Sequence, residues 1–162
     1  MLETYESVLK ALLDACLTHY GERLLSVAVF GSVARGTPRR DSDVDLLIVA
    51  DPLPRGRLAR MDEFAVVEKS LAGLLEQGRR DGFFIELSPV FKTPAELEVG
   101  SLLLLDMTDQ ARILFDRDGI LRARLDRLAE KLRRWGSRRV RRGGGYYWLL
   151  KPDLKPGERL EL

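Results

Sequence analysis

The chain is poor in the residues that usually mark disulfide, zinc or histidine chemistry. Cysteine and histidine occur once each among 162 residues, as Cys16 and His19. A single cysteine excludes an internal disulfide, and so few soft ligands argue against a structural zinc site. Cys16 reads as a small core residue of a helix. His19, near the end of that helix, reads as a terminal or packing residue rather than a base. Asparagine is absent, while arginine greatly outnumbers lysine. That bias on a charge-rich chain suits a hot-adapted protein, and a coding sequence rich in G and C would produce the same bias. No apolar run approaches the length of a membrane span. Glu3 and Glu6 interrupt the opening, where a secretion signal needs an apolar stretch. The expected compartment is the cytoplasm, with no membrane partner. A formal net charge of +2 is too small to argue for nucleic acid by itself.

What is present is a balanced composition, 45% hydrophobic and 32% charged, in a length that can bury one real core. Apolar spacing near 3.6 predicts a helix over Glu3 to His19, with Gly21 as the glycine just past its end. Strands are expected at Leu24 to Phe30, Val44 to Val49, Phe83 to Phe91 and Ala111 to Phe115. Helices are expected at Arg57 to Glu76, from a Thr93 cap to Asp106, and at Ile120 to Trp135. Such an order implies a small sheet with helices mainly on one side. Gly143-Gly144-Gly145 is the expected hinge, and Tyr146, Tyr147 and Trp148 argue that the tail beyond it docks. The expected organisation is one domain over residues 1–118, with a C-terminal helix and an aromatic and basic tail over 119–162 packed on it.

Most of the chemistry lies in VAVFGSVARGTPRRDSDVDLLIVA, from Val27 to Ala50. It reads as a strand, a Gly-Ser turn opening a short helix, and a second strand led by two aspartates. Asp43 and Asp45 stand two residues apart, so both project from one face of that strand. Two neighbouring carboxylates repel unless a cation lies between them. Magnesium suits such oxygen ligands and takes its remaining ones from water and substrate phosphates. Gly31 has no Cβ to keep a phosphate from the backbone, and Ser32 offers a hydroxyl and a backbone N–H at a helix start. These residues together point to a metal-bound nucleotide. Arg35 reads either as a phosphate or base contact or as a structural bridge to nearby carboxylates. Arg39 and Arg40 read either as clamps on triphosphate charge or as a solvated loop. Ser42 is a nucleotide contact or a cap for its turn.

Gly31-Ser32-Val33-Ala34-Arg35-Gly36 followed by Asp41-Ser42-Asp43-Val44-Asp45 resembles the nucleotidyltransferase domain of the DNA polymerase β superfamily, and in particular its small stand-alone members, the minimal nucleotidyltransferases. The likeness covers roughly Leu24 to Phe91. It implies an α+β nucleotidyltransferase fold with a small mixed sheet, extended here by the C-terminal helix and tail. It implies transfer of a nucleoside monophosphate from a nucleoside triphosphate, ATP for preference, to an unidentified acceptor, with release of pyrophosphate. Two magnesium ions, or manganese in their place, would be held by Asp43, Asp45 and a third carboxylate on a following strand. Glu86 is the positional candidate for that third ligand and for the acceptor's base, although the family more often presents aspartate there. The other reading of Glu86 is a solvent-facing residue of an edge strand. The resemblance also implies a second kind of role, a nucleotide-binding antitoxin-type partner of a small helical toxin, with weak or no turnover. A second copy of the chain is a further expected partner.

Six arginines from Arg133 to Arg142 crowd around Trp135. They read either as a nucleic-acid backbone contact with Trp135 stacking on a base, or as a helix face followed by a solvated turn.

Overall fold

The strand at Val44–Ala50 is apolar at every position from Leu46 onward, so both of its faces need cover. The computed structural model describes residues 2–162 and supplies cover on both sides. In chain order the elements are α1 (Leu2–Tyr20), β1 (Leu24–Phe30), α2 (Gly31–Ala34), β2 (Val44–Ala50) and α3 (Arg57–Arg80). They continue with β3 (Leu87–Lys92), α4 (Pro94–Val99), α5 (Leu102–Gln110), β4 (Arg112–Asp116) and α6 (Ile120–Trp135). The chain closes with the hairpin strands β5 (Arg138–Arg142) and β6 (Gly145–Leu149).

Four strands form a mixed sheet in the order β3-β2-β1-β4. β1 runs antiparallel to β2 and to β4, and β2 runs parallel to β3. Val27, Val29, Leu46 and Ile48 face α1 and α3, where Leu12, Phe64 and Leu71 complete a first core. Ala28, Leu47 and Val49 face the other way, into a second core with Leu97, Leu104, Leu125 and Leu128 from α4, α5 and α6. The α+β class is as expected. The expectation of helices mainly on one side is corrected: the uninterrupted apolar run of β2 buries both faces, and helices lie on each. Among the described residues no helix is long and apolar enough to cross a membrane.

Three local expectations also change. The third strand begins at Leu87 rather than Phe83. Phe83 and Ile85 are buried and Phe84 and Glu86 exposed, so the alternation is real. This stretch, however, runs beside the loop before β2, with the Phe84 N–H bonded to the Arg40 carbonyl at 2.7 Å. The helix expected from Thr93 to Asp106 is two helices. Thr93 and Glu96 form the capping box that opens α4, but Gly100 adopts φ +83° and the chain restarts at Ser101. A Cβ at Gly100 would stand 2.9 Å from the Leu162 carbonyl oxygen. Finally, the glycine run is a hairpin turn and not a hinge. Arg142 pairs with Gly145, leaving Gly143 and Gly144 as a two-residue connection, and Gly143 takes the positive φ of +61° that such turns demand.

Candidate active site

β2 enters the sheet beside the turn that ends β1, with Asp45 opposite Phe30 in the ladder. Gly31, the next residue, has φ +71°. A Cβ there would collide with Oδ2 of Asp45. The motif glycine is therefore required twice, by its left-handed backbone and by the carboxylate lying over it. The following turn is tied by the Thr37 N–H to the Ser32 carbonyl at 3.0 Å and closed by Gly36 at φ +72°.

Asp43 is exposed and Asp45 half-buried, both on the sheet face that carries the second core. Burial pushes the Asp45 carboxyl above its ordinary range. The neighbouring Asp43 charge adds to this, and Arg35 partly offsets it. Like-charge strain of this sort is relieved by a cation, and two hard oxygen donors fit magnesium when phosphates and water complete the shell. Glu86 falls opposite Asp43 by register, one step before the Leu87–Val44 pair, and its carbonyl accepts the Val44 N–H at 2.8 Å. Its side chain is exposed. Among the described residues no three His, Cys, Asp or Glu side chains are grouped closely enough to hold a metal ion. The fold thus brings Asp43 and Asp45 together and leaves Glu86 at the same end of the sheet, outside a ready-made triad.

The loop from Thr37 to Ser42 forms an open, polar cleft of about 570 Å3 lined by Ser32, Arg35, Thr37, Arg39, Asp41 and Ser42. Ser42 caps its own turn, its Oγ accepting the Arg39 N–H at 2.9 Å. Arg35 reaches across to α5, donating to Gln110 Oε1 at 3.2 Å. Arg40 points elsewhere: its guanidinium lies 5.1 Å from the Phe83 ring centre and donates to the Asp81 carbonyl at 3.3 Å. Of the nucleotide-contact candidates, Ser32, Arg35, Arg39 and Ser42 line this cleft, Gly31 precedes Ser32 at the start of α2, and Arg40 does not line it.

Sequence reasoning missed Tyr5. Its hydroxyl lies 2.7 Å from the Arg39 carbonyl and 2.9 Å from that of Ser42, donating its one proton between them. Only 1% of Tyr5 is exposed. Burial is the main reason its phenol is pushed up, with Asp41 and Asp43 adding to the effect. One helix residue thereby pins the loop that joins the two halves of the motif. The available signal was a phenol on the apolar face of α1, since a buried hydroxyl needs a partner.

Residues 9–87, which contain the turn, both aspartates and Glu86, match the family described as Nucleotidyltransferase domain. A Methanocaldococcus jannaschii protein named "Putative protein adenylyltransferase MJ1305" is 32% identical over 130 residues, spanning 79% of this chain and 83% of that protein. The chain belongs to the nucleotidyltransferase family. Among solved structures, this nucleotidyltransferase shares its fold with a chain of a "toxin-antitoxin with AMP-PNP", at a TM-score of 0.50 and 17% identity over 77% of this chain and 86% of that one.

His19 lies under α3, its Nε2 3.5 Å from Glu63 and its ring edge-on to Tyr20. The arginine run is divided between two elements of the nucleotidyltransferase. Arg133 and Arg134 end α6, while Arg138, Arg139, Arg141 and Arg142 lie on β5. Trp135 packs against the second core, with Lys131 5.7 Å from its ring centre.

Proposed function

We propose that this nucleotidyltransferase moves a nucleoside monophosphate, AMP for preference, from a nucleoside triphosphate to a hydroxyl on a protein acceptor. The observation that carries the reading is the Asp45 carboxylate lying over Gly31 with Asp43 beside it. A phosphate-sized turn and a pair of strained carboxylates meet at one point. The relative named as a protein adenylyltransferase supports AMP as the group transferred and a protein as the acceptor.

Asp43 and Asp45 would hold magnesium, which when bound neutralises charge on the phosphates and lowers the barrier to attack. Gly31 and Ser32 position the triphosphate, and Arg35 and Arg39 line the approach. The acceptor oxygen attacks the α-phosphorus in line, the bond to the bridging oxygen of the β-phosphate breaks, and pyrophosphate leaves. Glu86, at the same end of the sheet as Asp43, takes the acceptor's proton. Most of the rate gain comes from positioning and charge neutralisation, as in phosphoryl transfer generally. The test is incubation of the protein with α-labelled nucleoside triphosphates, magnesium and cell lysate. Label should enter one protein, and Asp43→Asn should abolish the transfer with the fold intact. Undiminished labelling by that variant overturns the assignment.

A second reading is favoured by the exposed side chain of Glu86, which leaves Asp43 and Asp45 as the pair. Here the protein binds nucleotide and acts chiefly as the antitoxin-type partner of a small helical protein, with slow turnover. The shared fold with a toxin–antitoxin chain is compatible with it. If it holds, Asp43→Asn will still capture that partner. On either reading the expected compartment is the cytoplasm.

A further inference from the structure

The aspartates lie on the sheet face covered by α4, α5 and α6, so part of their surroundings comes from beyond residues 9–87. Arg35 links the motif to the end of α5 through Gln110. On the same helix Asp109 accepts from Arg139 at 2.7 Å, and Asp106 accepts from the Trp148 indole N–H at 2.8 Å. The β5–β6 hairpin is thereby clamped to the helix that Arg35 touches. The Arg139 guanidinium lies 4.9 Å from the Trp148 ring centre and 5.1 Å from that of Tyr146, contacts that orient both rings. Tyr146 still keeps 47% of its surface exposed. Burial and Asp106 push its hydroxyl up, while Arg139 and Arg35 oppose this. Arg139, which lies against the ring, is held by Asp109, and Arg35 of the motif by Gln110, the next residue of α5, so one helix end joins the ring to the motif's arginine.

We propose that the free face of Tyr146 is the wall on which the base of the bound nucleoside triphosphate stacks. The inference rests on the reading that Gly31 and the aspartates hold the triphosphate. From there the nucleoside end can extend in two directions on this face. One leads across β2 to β3, where Phe84 is 60% exposed beside Glu86. The other leads from β1 toward α5 and the hairpin. Gly31 follows β1, which lies between β2 and β4, while β3 lies beyond β2, and Arg35 of the same turn is tied to the helix that holds the hairpin, so the phosphate turn is on the Tyr146 side and Phe84 is on the far side of the aspartates. The cleft at residues 37–42 is lined by polar side chains and offers no ring. An aromatic face is what any base can use, because stacking needs only a π surface.

The experiment is calorimetric titration of the full chain with magnesium–ATP and, separately, with magnesium–tripolyphosphate, which carries the charge without the base. Tyr146→Ala should weaken ATP binding roughly tenfold and leave tripolyphosphate binding within about twofold. Tyr146→Phe should bind both like wild type, which also guards against misfolding of the alanine variant. Phe84→Ala should not change ATP affinity. Equal loss of both ligands in Tyr146→Ala, no loss of either, or loss of ATP affinity in Phe84→Ala instead, overturns the wall. Wild type that binds tripolyphosphate as tightly as ATP overturns the wall alone. Wild type that binds neither overturns the nucleotide reading with it.

Discussion

The face of the sheet under α1 and α3 is closed by apolar side chains along the whole of β2, from Val44 to Ala50, whereas on the opposite face the apolar cover begins only at Leu47. Ahead of Leu47 that second face carries Asp45 and Asp43, with Glu86 on the neighbouring chain segment. One face is built for stability throughout. The other gives up burial at the end that holds the two aspartates, and Asp45 carries the strain of that arrangement. A site of this kind is stable only because the rest of the same strand is anchored on both sides.

The sharpest way to break this contrast is Asp45→Asn. Transfer should fall by about a thousandfold or more, since metal binding contributes several kcal/mol to such reactions. Stability should move the other way. The folded carboxyl titrates above its ordinary value of 3.8, so protonation favours the native state and the wild type loses stability as pH rises through that shifted range. The variant should therefore melt higher than wild type at pH 7, with the gap closing toward pH 3. Thermal melts across pH, run beside the labelling assay, would show whether activity and stability separate in this way.

Gly31→Ala should damage both properties at once. The left-handed backbone alone costs about 1–2 kcal/mol for a residue with a Cβ, and the new methyl must also displace Asp45. Urea midpoints and the magnesium-dependent shift in Tm should both drop. A variant with normal magnesium stabilisation would show that Asp45 is free to move.

Tyr5→Phe tests whether the well-packed face also serves the site. Removing the hydroxyl shared by Arg39 and Ser42 should cost about 1 kcal/mol and make the loop at residues 37–42 more open to proteolysis. The smallest effect belongs to Glu96, far from the aspartates. Its bonds to Arg60 at 2.8 and 2.9 Å and to the Thr93 N–H hold its carboxyl down at about 2. A lowered acid stabilises the fold above its ordinary value of 4.5, and that contribution fades as pH falls toward 2. Glu96→Gln should cost a few tenths of a kcal/mol to about 1 kcal/mol at pH 7. It should flatten the acid limb of a stability–pH curve, so that variant and wild type converge near pH 2.

The parts of the molecule legible in the sequence are those governed by neighbours along the chain. The spacing of Asp43 and Asp45, the strands bounded by Gly31 and Asp51, the Thr93–Glu96 cap and the Ile120–Trp135 helix all depend on local periodicity or local hydrogen bonds. Glu86 was harder: the alternation in FFIEL gives its exposed face, but its place opposite Asp43 follows only from the parallel register with β2. Arg40 looked equivalent to Arg39, and only the positions of Phe83 and the Asp81 carbonyl separate them.

The sequence by itself determined the family and the α+β class, and it singled out the residues proposed to bind metal and phosphate, since each rests on residue type at short spacing. Tertiary structure alone decided that helices cover both faces, that Tyr5 pins the motif loop from 34 residues away, and that Arg139 is spent on Trp148 and Asp109. It also set the Asp45 carboxylate in the space a side chain at Gly31 would fill. These are meetings of distant segments, fixed by packing and charge, and no local pattern in the chain encodes them.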